Sequence, residues 1–146
     1  MIANQWYAIL PSKAVRRDQI VGVRRLSMDL ALFRSSKGEI GCVSDQCTHR
    51  GAALSKGSVK GSCVQCPFHG LEFDAAGRCT FIPANGRGST ESISRYNVKH
   101  WAVRESSGII YLWYGAPETA AAGLPFFYED VDDTWVYSEI ADPWNA

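Results

Sequence analysis

Apolar and aromatic residues along this chain come in short runs broken by glycine and serine, and no stretch keeps the period of an amphipathic helix. Runs rich in Val, Ile, Tyr, Phe and Trp predict β-strands over residues 6–10, 20–25, 29–34, 40–44, 80–82, 96–103, 109–114 and 134–140. Between them stand Ser35-Ser36-Lys37-Gly38, Lys56-Gly57, Lys60-Gly61, Ala76-Gly77, Asn85-Gly86-Arg87-Gly88 and Ser106-Ser107-Gly108. Such punctuation closes hairpins. Helix is expected only as a single turn near residues 12–15. Trp101, Tyr111, Trp113 and Tyr114 sit within strand-like runs and read as core. Frequent short strands and turns predict an all-β, antiparallel sandwich or small barrel. The chain holds no internal repeat.

Length and composition narrow the class. At 146 residues the chain suits one domain with a tail. With 46% hydrophobic and 21% charged residues it is an ordinary globular sequence, which excludes disorder, collagen and coiled coil. No run approaches the roughly 18 apolar residues of a spanning helix. Residues 1–11 lack a basic stretch followed by an apolar one, so no signal peptide is expected. Five cysteines, an odd number, do not suggest a disulfide framework, and a reducing, cytoplasmic setting is the expectation.

Charge is balanced overall but unevenly placed. Residues 1–104 hold all 15 basic side chains and 7 acidic ones, a balance of +8. Residues 105–146 hold 8 acidic side chains and no Lys or Arg. Either the acidic segment folds back on a basic body, or it meets another domain or chain. The basic residues are scattered rather than interleaved with aromatics, so nucleic acid is not an expected partner, and without a spanning run neither is a membrane.

Two short segments carry metal chemistry, Cys47-Thr48-His49-Arg50-Gly51 and Cys66-Pro67-Phe68-His69-Gly70. Sixteen residues separate His49 from Cys66, giving the pattern C-x-H-x16-C-x2-H. Two loops brought tip to tip would offer two thiolates and two imidazoles. Zinc in a tetrahedral site is one candidate for that set, although its paired ligands are usually two to four residues apart. The other is a [2Fe–2S] cluster with cysteines on one iron and histidines on the second. A one-residue gap suits the second, because Cys47 and His49 would then reach different irons. Cys42, Cys63 and Cys79 read as core or strand residues, and His100 as a structural or exposed histidine.

These segments resemble the Rieske motif. The text around them resembles the N-terminal Rieske domain of ring-hydroxylating and demethylating non-haem iron oxygenases. The likeness runs from Asn4-Gln5-Trp6-Tyr7 through Leu71-Glu72-Phe73-Asp74, Gly77-Arg78-Cys79 and Ile82-Pro83-Ala84 to Gly108-Ile109-Ile110-Tyr111-Leu112-Trp113-Tyr114-Gly115. It implies a Rieske-type antiparallel β-sandwich with a small cluster-binding subdomain built from two loops. It implies a Rieske domain over residues 1–115, with residues 116–146 as an acidic tail or linker toward a catalytic domain. It implies that Cys47 and Cys66 bind one iron and that His49 and His69 bind the other. Arg50, Gly51, Ala52, Pro67, Phe68, Gly70 and Leu71 would surround the cluster. Backbone N–H groups near Arg50–Ala52 and Gly70–Leu71 would meet its sulfurs, and Pro67 and Phe68 would shield it.

The likeness also implies a class within the family. High-potential respiratory Rieske proteins brace the cluster with an extra cysteine in each loop. Here Ala52 and Phe68 stand at the matching positions, and Leu71 stands where those proteins place a hydroxyl. Fewer hydrogen bonds to the sulfurs leave the reduced cluster less stabilised. The expectation is a potential of about −150 mV rather than +300 mV.

Histidine arithmetic limits what the chain does alone. The oxygenases it resembles activate O₂ at a separate mononuclear Fe(II) held by two histidines and a carboxylate. This chain has three histidines, and only His100 lies outside the motif. The domain is therefore expected to transfer electrons without catalytic residues of its own. Its donor would be a reductase or ferredoxin, and its acceptor an oxygenase catalytic domain in the same or a neighbouring chain. Leu124-Pro125-Phe126-Phe127 and the strand over 134–140 fit a link toward such a domain. A stand-alone Rieske ferredoxin is the second reading, and a zinc-binding β-domain the third.

Overall fold

The computed structural model describes residues 1–86, 89–120 and 123. Its strands are β1 (Trp6–Pro11), β2 (Gln19–Arg25), β3 (Met28–Arg34), β4 (Ile40–Ser44), β5 (Ser58–Lys60), β6 (Cys63–Gln65), β7 (Glu72–Phe73), β8 (Cys79–Phe81), β9 (Val103–Ser106) and β10 (Ile109–Trp113). They form three antiparallel sheets of order β1-β10-β9, β2-β3-β4 and β5-β6-β7-β8. The all-β expectation holds. Among the described residues, helix is confined to single 3₁₀ turns, one of them Ser12–Ala14.

Side-chain alternation explains how the sheets stack. Leu30 and Leu32 of β3 join Ile110 and Leu112 of β10 in one core, between the first two sheets. Ala31 and Phe33 of the same strand point into a second core with Val64, Phe73, Cys47 and Cys66. The unbroken buried run Leu30–Phe33 is what a strand covered on both faces requires. Neighbouring β4 divides likewise, with Cys42 in the first core and Val43 in the second. Burial pushes the Cys42 thiol up to about 12. Tyr111 and Trp113 on the other face of β10 stack with Trp6, whose ring meets Trp113 edge-on at 5.3 Å.

Two hairpins close through two-residue turns. Ser107 and Gly108 between β9 and β10 have φ of 48° and 77°, the left-handed pair of a type I′ turn. Leu26 and Ser27 between β2 and β3 adopt the same hand at 54° and 59° without a glycine.

The predicted strand over 96–103 is corrected. Residues Ser94–Tyr96 form a 3₁₀ turn, His100 makes one isolated bridge to Val43, and regular pairing begins only at Val103. The segment is held instead by bonds to several elements: Val98 N–H to the Gly77 carbonyl, Ser44 N–H to the Lys99 carbonyl and Trp101 N–H to the Cys42 carbonyl. Asn97, a turn-forming residue, uses its side chain to accept the Cys79 N–H. Strands β5, β6 and β7 are additions to the sequence reading. The predicted strand over 134–140 lies outside the described residues. Among the described residues, no helix is long and apolar enough to cross a membrane.

Candidate metal centre

The two Cys/His segments form loops at the ends of β4 and β6, built on one backbone plan. In the first, Cys47 N–H donates to the Ala52 carbonyl at 2.8 Å and Gly51 N–H to the Cys47 carbonyl at 2.8 Å. In the second, Cys66 N–H donates to the Leu71 carbonyl at 2.8 Å and Gly70 N–H to the Cys66 carbonyl at 3.1 Å. The two glycines turn left-handed at the same point, with φ of 72° and 73°, a conformation that side chains resist. The histidine falls two residues after the cysteine in the first loop and three after it in the second.

The loops bring like donors together. Cys47 and Cys66 are buried in the core beneath. The His49 and His69 rings lie 4.6 Å apart, inclined at 63°. His69 is exposed and His49 half-buried. Among the described residues, no three His, Cys, Asp or Glu side chains gather as a single-ion site. The donors come as a sulfur pair inside and an imidazole pair outside.

Electrostatics bear on the sulfur pair. Burial, together with the neighbouring Cys66 sulfur, pushes the Cys47 thiol up from its ordinary value. The N–H groups of His49 and Arg50 point at that sulfur and pull the other way. The Gly51 and Gly70 N–H groups, read from sequence as facing sulfur, instead close their loops. Cys79 is buried in the same core, and burial raises its thiol too.

The surrounding residues divide between surface and core. Leu71 is buried, Ala52 half-buried, and Arg50, Pro67 and Phe68 exposed. The Phe68 ring is 63% exposed and lies 4.0 Å from the His69 ring, tilted by 36°. Asp45 anchors the first loop, accepting the Ser55 N–H and hydroxyl, each at 2.6 Å. The 3₁₀ turn Ser94–Tyr96 also packs here, with Tyr96 edge-on to His49 at 6.1 Å. The strand assignment over 96–103 hid it, and the Arg95-Tyr96-Asn97 sequence held the only local hint of a turn.

The donor set of two thiols and two imidazoles fits a [2Fe–2S] cluster with mixed ligands. So does one orphan atom: Nδ1 of His49 is buried with no hydrogen-bond partner. Buried nitrogens of this kind are rarely left bare, and a metal bond meets the need. The sequence profile of the Rieske [2Fe-2S] domain matches residues 5–102. The chain belongs to the Rieske [2Fe-2S] domain family. The family decides between zinc and iron–sulfur in favour of the [2Fe–2S] cluster, and the domain's role is one-electron transfer.

Relatives of this Rieske domain include monooxygenases and oxygenase components. It is 37% identical over 121 residues to a 4beta-methylsterol monooxygenase of Methylococcus capsulatus, covering 82% of this chain and 32% of that protein. It is 36% identical over 136 residues to the oxygenase component of dicamba O-demethylase from Stenotrophomonas maltophilia, covering 92% of this chain and 39% of the relative. The crystal structure of apo dicamba monooxygenase matches with a TM-score of 0.77 at 34% identity, over 87% of this chain and 38% of that one. The chain thus spans about a third of the length of these relatives.

Proposed function

We propose that Cys47 and Cys66 bind one iron of the cluster as thiolates, that His49 and His69 bind the other through a ring nitrogen each, and that the domain delivers electrons within a Rieske non-haem iron oxygenase. The observation that carries the ligand assignment is the sorting of donors, sulfurs buried and imidazoles toward solvent. When bound, the cluster supplies a one-electron couple. The residues do the rest. Cys47 and Cys66 keep the sulfur end away from water. Cys47 would hold iron as a thiolate with its proton released, the usual state of a thiol that ligates a cation. His49 offers its buried Nδ1 to the metal. His69, exposed and flanked by Phe68, turns the imidazole end outward, where a redox partner reaches it. Arg50, Gly51, Ala52, Pro67, Gly70 and Leu71 complete the loops around the centre.

Support for the oxygenase comes from the relatives, whose sequences continue well beyond the aligned third. His100 is the only histidine outside the pair and is tied into the fold at Val43. A mononuclear Fe(II) site held by two histidines therefore draws at least one of them from outside these 146 residues. In this reading residues 1–115 are the Rieske domain, and residues 116–146 lead to a catalytic domain in the same or a neighbouring chain. A reductase or ferredoxin supplies electrons, and the setting is cytoplasmic. A stand-alone ferredoxin shares this centre and differs only in what accepts the electron.

Two measurements test the proposal. The purified domain, reduced with dithionite, gives a Rieske-type EPR signal, with iron and acid-labile sulfide in equal amounts. Replacing Cys47 or Cys66 by Ser, or His49 or His69 by Ala, removes that signal; a variant that keeps it takes its residue out of the ligand set. The coding sequence beyond residue 146 decides the parent. An open frame supplying two histidines and a carboxylate supports the oxygenase, and a stop codon supports the ferredoxin.

A further inference from the structure

Four aromatic rings run in an unbroken row across the centre. Tyr96 meets His49 at 6.1 Å and 86°, His49 meets His69 at 4.6 Å, and His69 meets Phe68 at 4.0 Å. The two ends of the row differ. At the Phe68 end the aromatic ring is mostly exposed. At the other end Tyr96 is held on several sides. Its carbonyl accepts the Thr48 hydroxyl at 2.5 Å. Its own hydroxyl accepts a bond from the Arg95 guanidinium at 3.1 Å, and that guanidinium lies 4.8 Å over the ring. The turn carrying both residues is fixed by Tyr96 N–H to the Ile93 carbonyl at 3.0 Å and Asn97 N–H to the Ser94 carbonyl at 3.0 Å. Thr48 lies between Cys47 and His49, so this clamp grips the first loop at its tip.

We propose that Tyr96 is a positioning residue for the His49 imidazole, and that its ring seats the Arg95 guanidinium at the imidazole end of the centre. The inference rests on His49 binding the cluster. An edge-to-face ring limits rotation of the imidazole, and groups that orient a metal-bound histidine tune the metal. A cation held nearby favours the reduced form, which carries one more negative charge. Salt weakens that effect, because Arg95 is exposed. The two imidazoles are thus unequal: His49 is clamped, while His69 faces solvent beside Phe68.

The test uses the cluster-loaded protein and reads EPR g-values, midpoint potential, iron content and melting temperature. Tyr96→Leu shifts the g-values and makes the potential more negative, with iron content and melting temperature at wild-type levels. Tyr96→Phe keeps the ring and restores the wild-type g-values, but loses the hydroxyl that accepts from Arg95 and falls between the two in potential. Arg95→Gln lowers the potential without moving the g-values, and the drop shrinks as salt rises. Wild-type spectrum and potential in a loaded Tyr96→Leu protein overturn the inference. If that variant fails to load, wild-type potentials in both Tyr96→Phe and Arg95→Gln overturn it. Failure of the ligand assignment is distinct: His49→Ala would then keep the Rieske signal.

Discussion

At the scale of single residues, the loops depend on Gly51 and Gly70, and their surroundings separate two kinds of strain. A Cβ at Gly51 would sit 3.6 Å from Gln46 Nε2, an ordinary contact, so Gly51→Ala suffers only the left-handed backbone. That conformation costs about 1–2 kcal/mol for a residue with a side chain. At Gly70 the added carbon would also lie 3.0 Å from Cγ of Pro83. Gly70→Ala therefore loses more stability than Gly51→Ala in denaturant unfolding of the loaded domain. Side chains around the loops bear on the potential too. Ala52, Phe68 and Leu71 supply neither a bracing disulfide nor a hydroxyl. Redox titration followed by visible absorption is expected to give a midpoint near the low end of the Rieske range, about −150 mV. A value above zero would count against the proposed role in an oxygenase.

At the scale of elements, an ion pair ties the sheet β2-β3-β4 to the sheet β1-β10-β9. Arg34 of β3 donates to Glu105 of β9, with Nη1 to Oε2 at 2.6 Å. The same guanidinium donates to the carbonyls of Val15 and Gly38 at 2.7 and 3.0 Å. The Arg34 bond holds the Glu105 carboxyl below the usual carboxylate range. A carboxyl depressed in the folded state contributes stability above its unfolded value of about 4.3 and loses it as pH falls through the folded value. Glu105→Gln is thus expected to be less stable than wild type at neutral pH by up to about 1 kcal/mol, the upper range for a partly exposed pair. Unfolding curves of the two proteins should converge in acid. A constant gap across pH would mean that packing, not charge, explains the difference. Arg34→Ala does more damage, since it also strips the Val15 and Gly38 carbonyls of a donor.

At the scale of the whole molecule, β3 and β4 form a partition with a core on each side, one for the sandwich and one beneath the cluster loops. The metal centre is thereby built onto the sandwich rather than hung from it. Residues 1–104 carry a balance of +8, so reduction by an acidic electron donor should slow as ionic strength rises. Stopped-flow rates indifferent to salt would exclude charge steering. The sequence alone determined the fold class, the paired Cys/His loops with their family, and the positions of six strands (β1, β2, β3, β4, β8 and β10), because each rests on local patterning, spacing or turn chemistry. Strands β5, β6 and β7 were illegible because their two or three residues mix polar with apolar side chains and are too few to display an alternation, whereas the equally short β8 was caught by the run Thr80-Phe81-Ile82. Residues 96–103 misled for the opposite reason: an apolar, strand-like run is bound to Gly77, Cys42, Ser44 and Cys79 instead of one flat neighbour. Only the tertiary structure decided which imidazole is covered, which is exposed, and that Tyr96 stands over His49. The His49–His69 and His49–Tyr96 contacts join residues 20 and 47 positions apart along the chain, and no local pattern records a meeting that depends on how whole sheets stack.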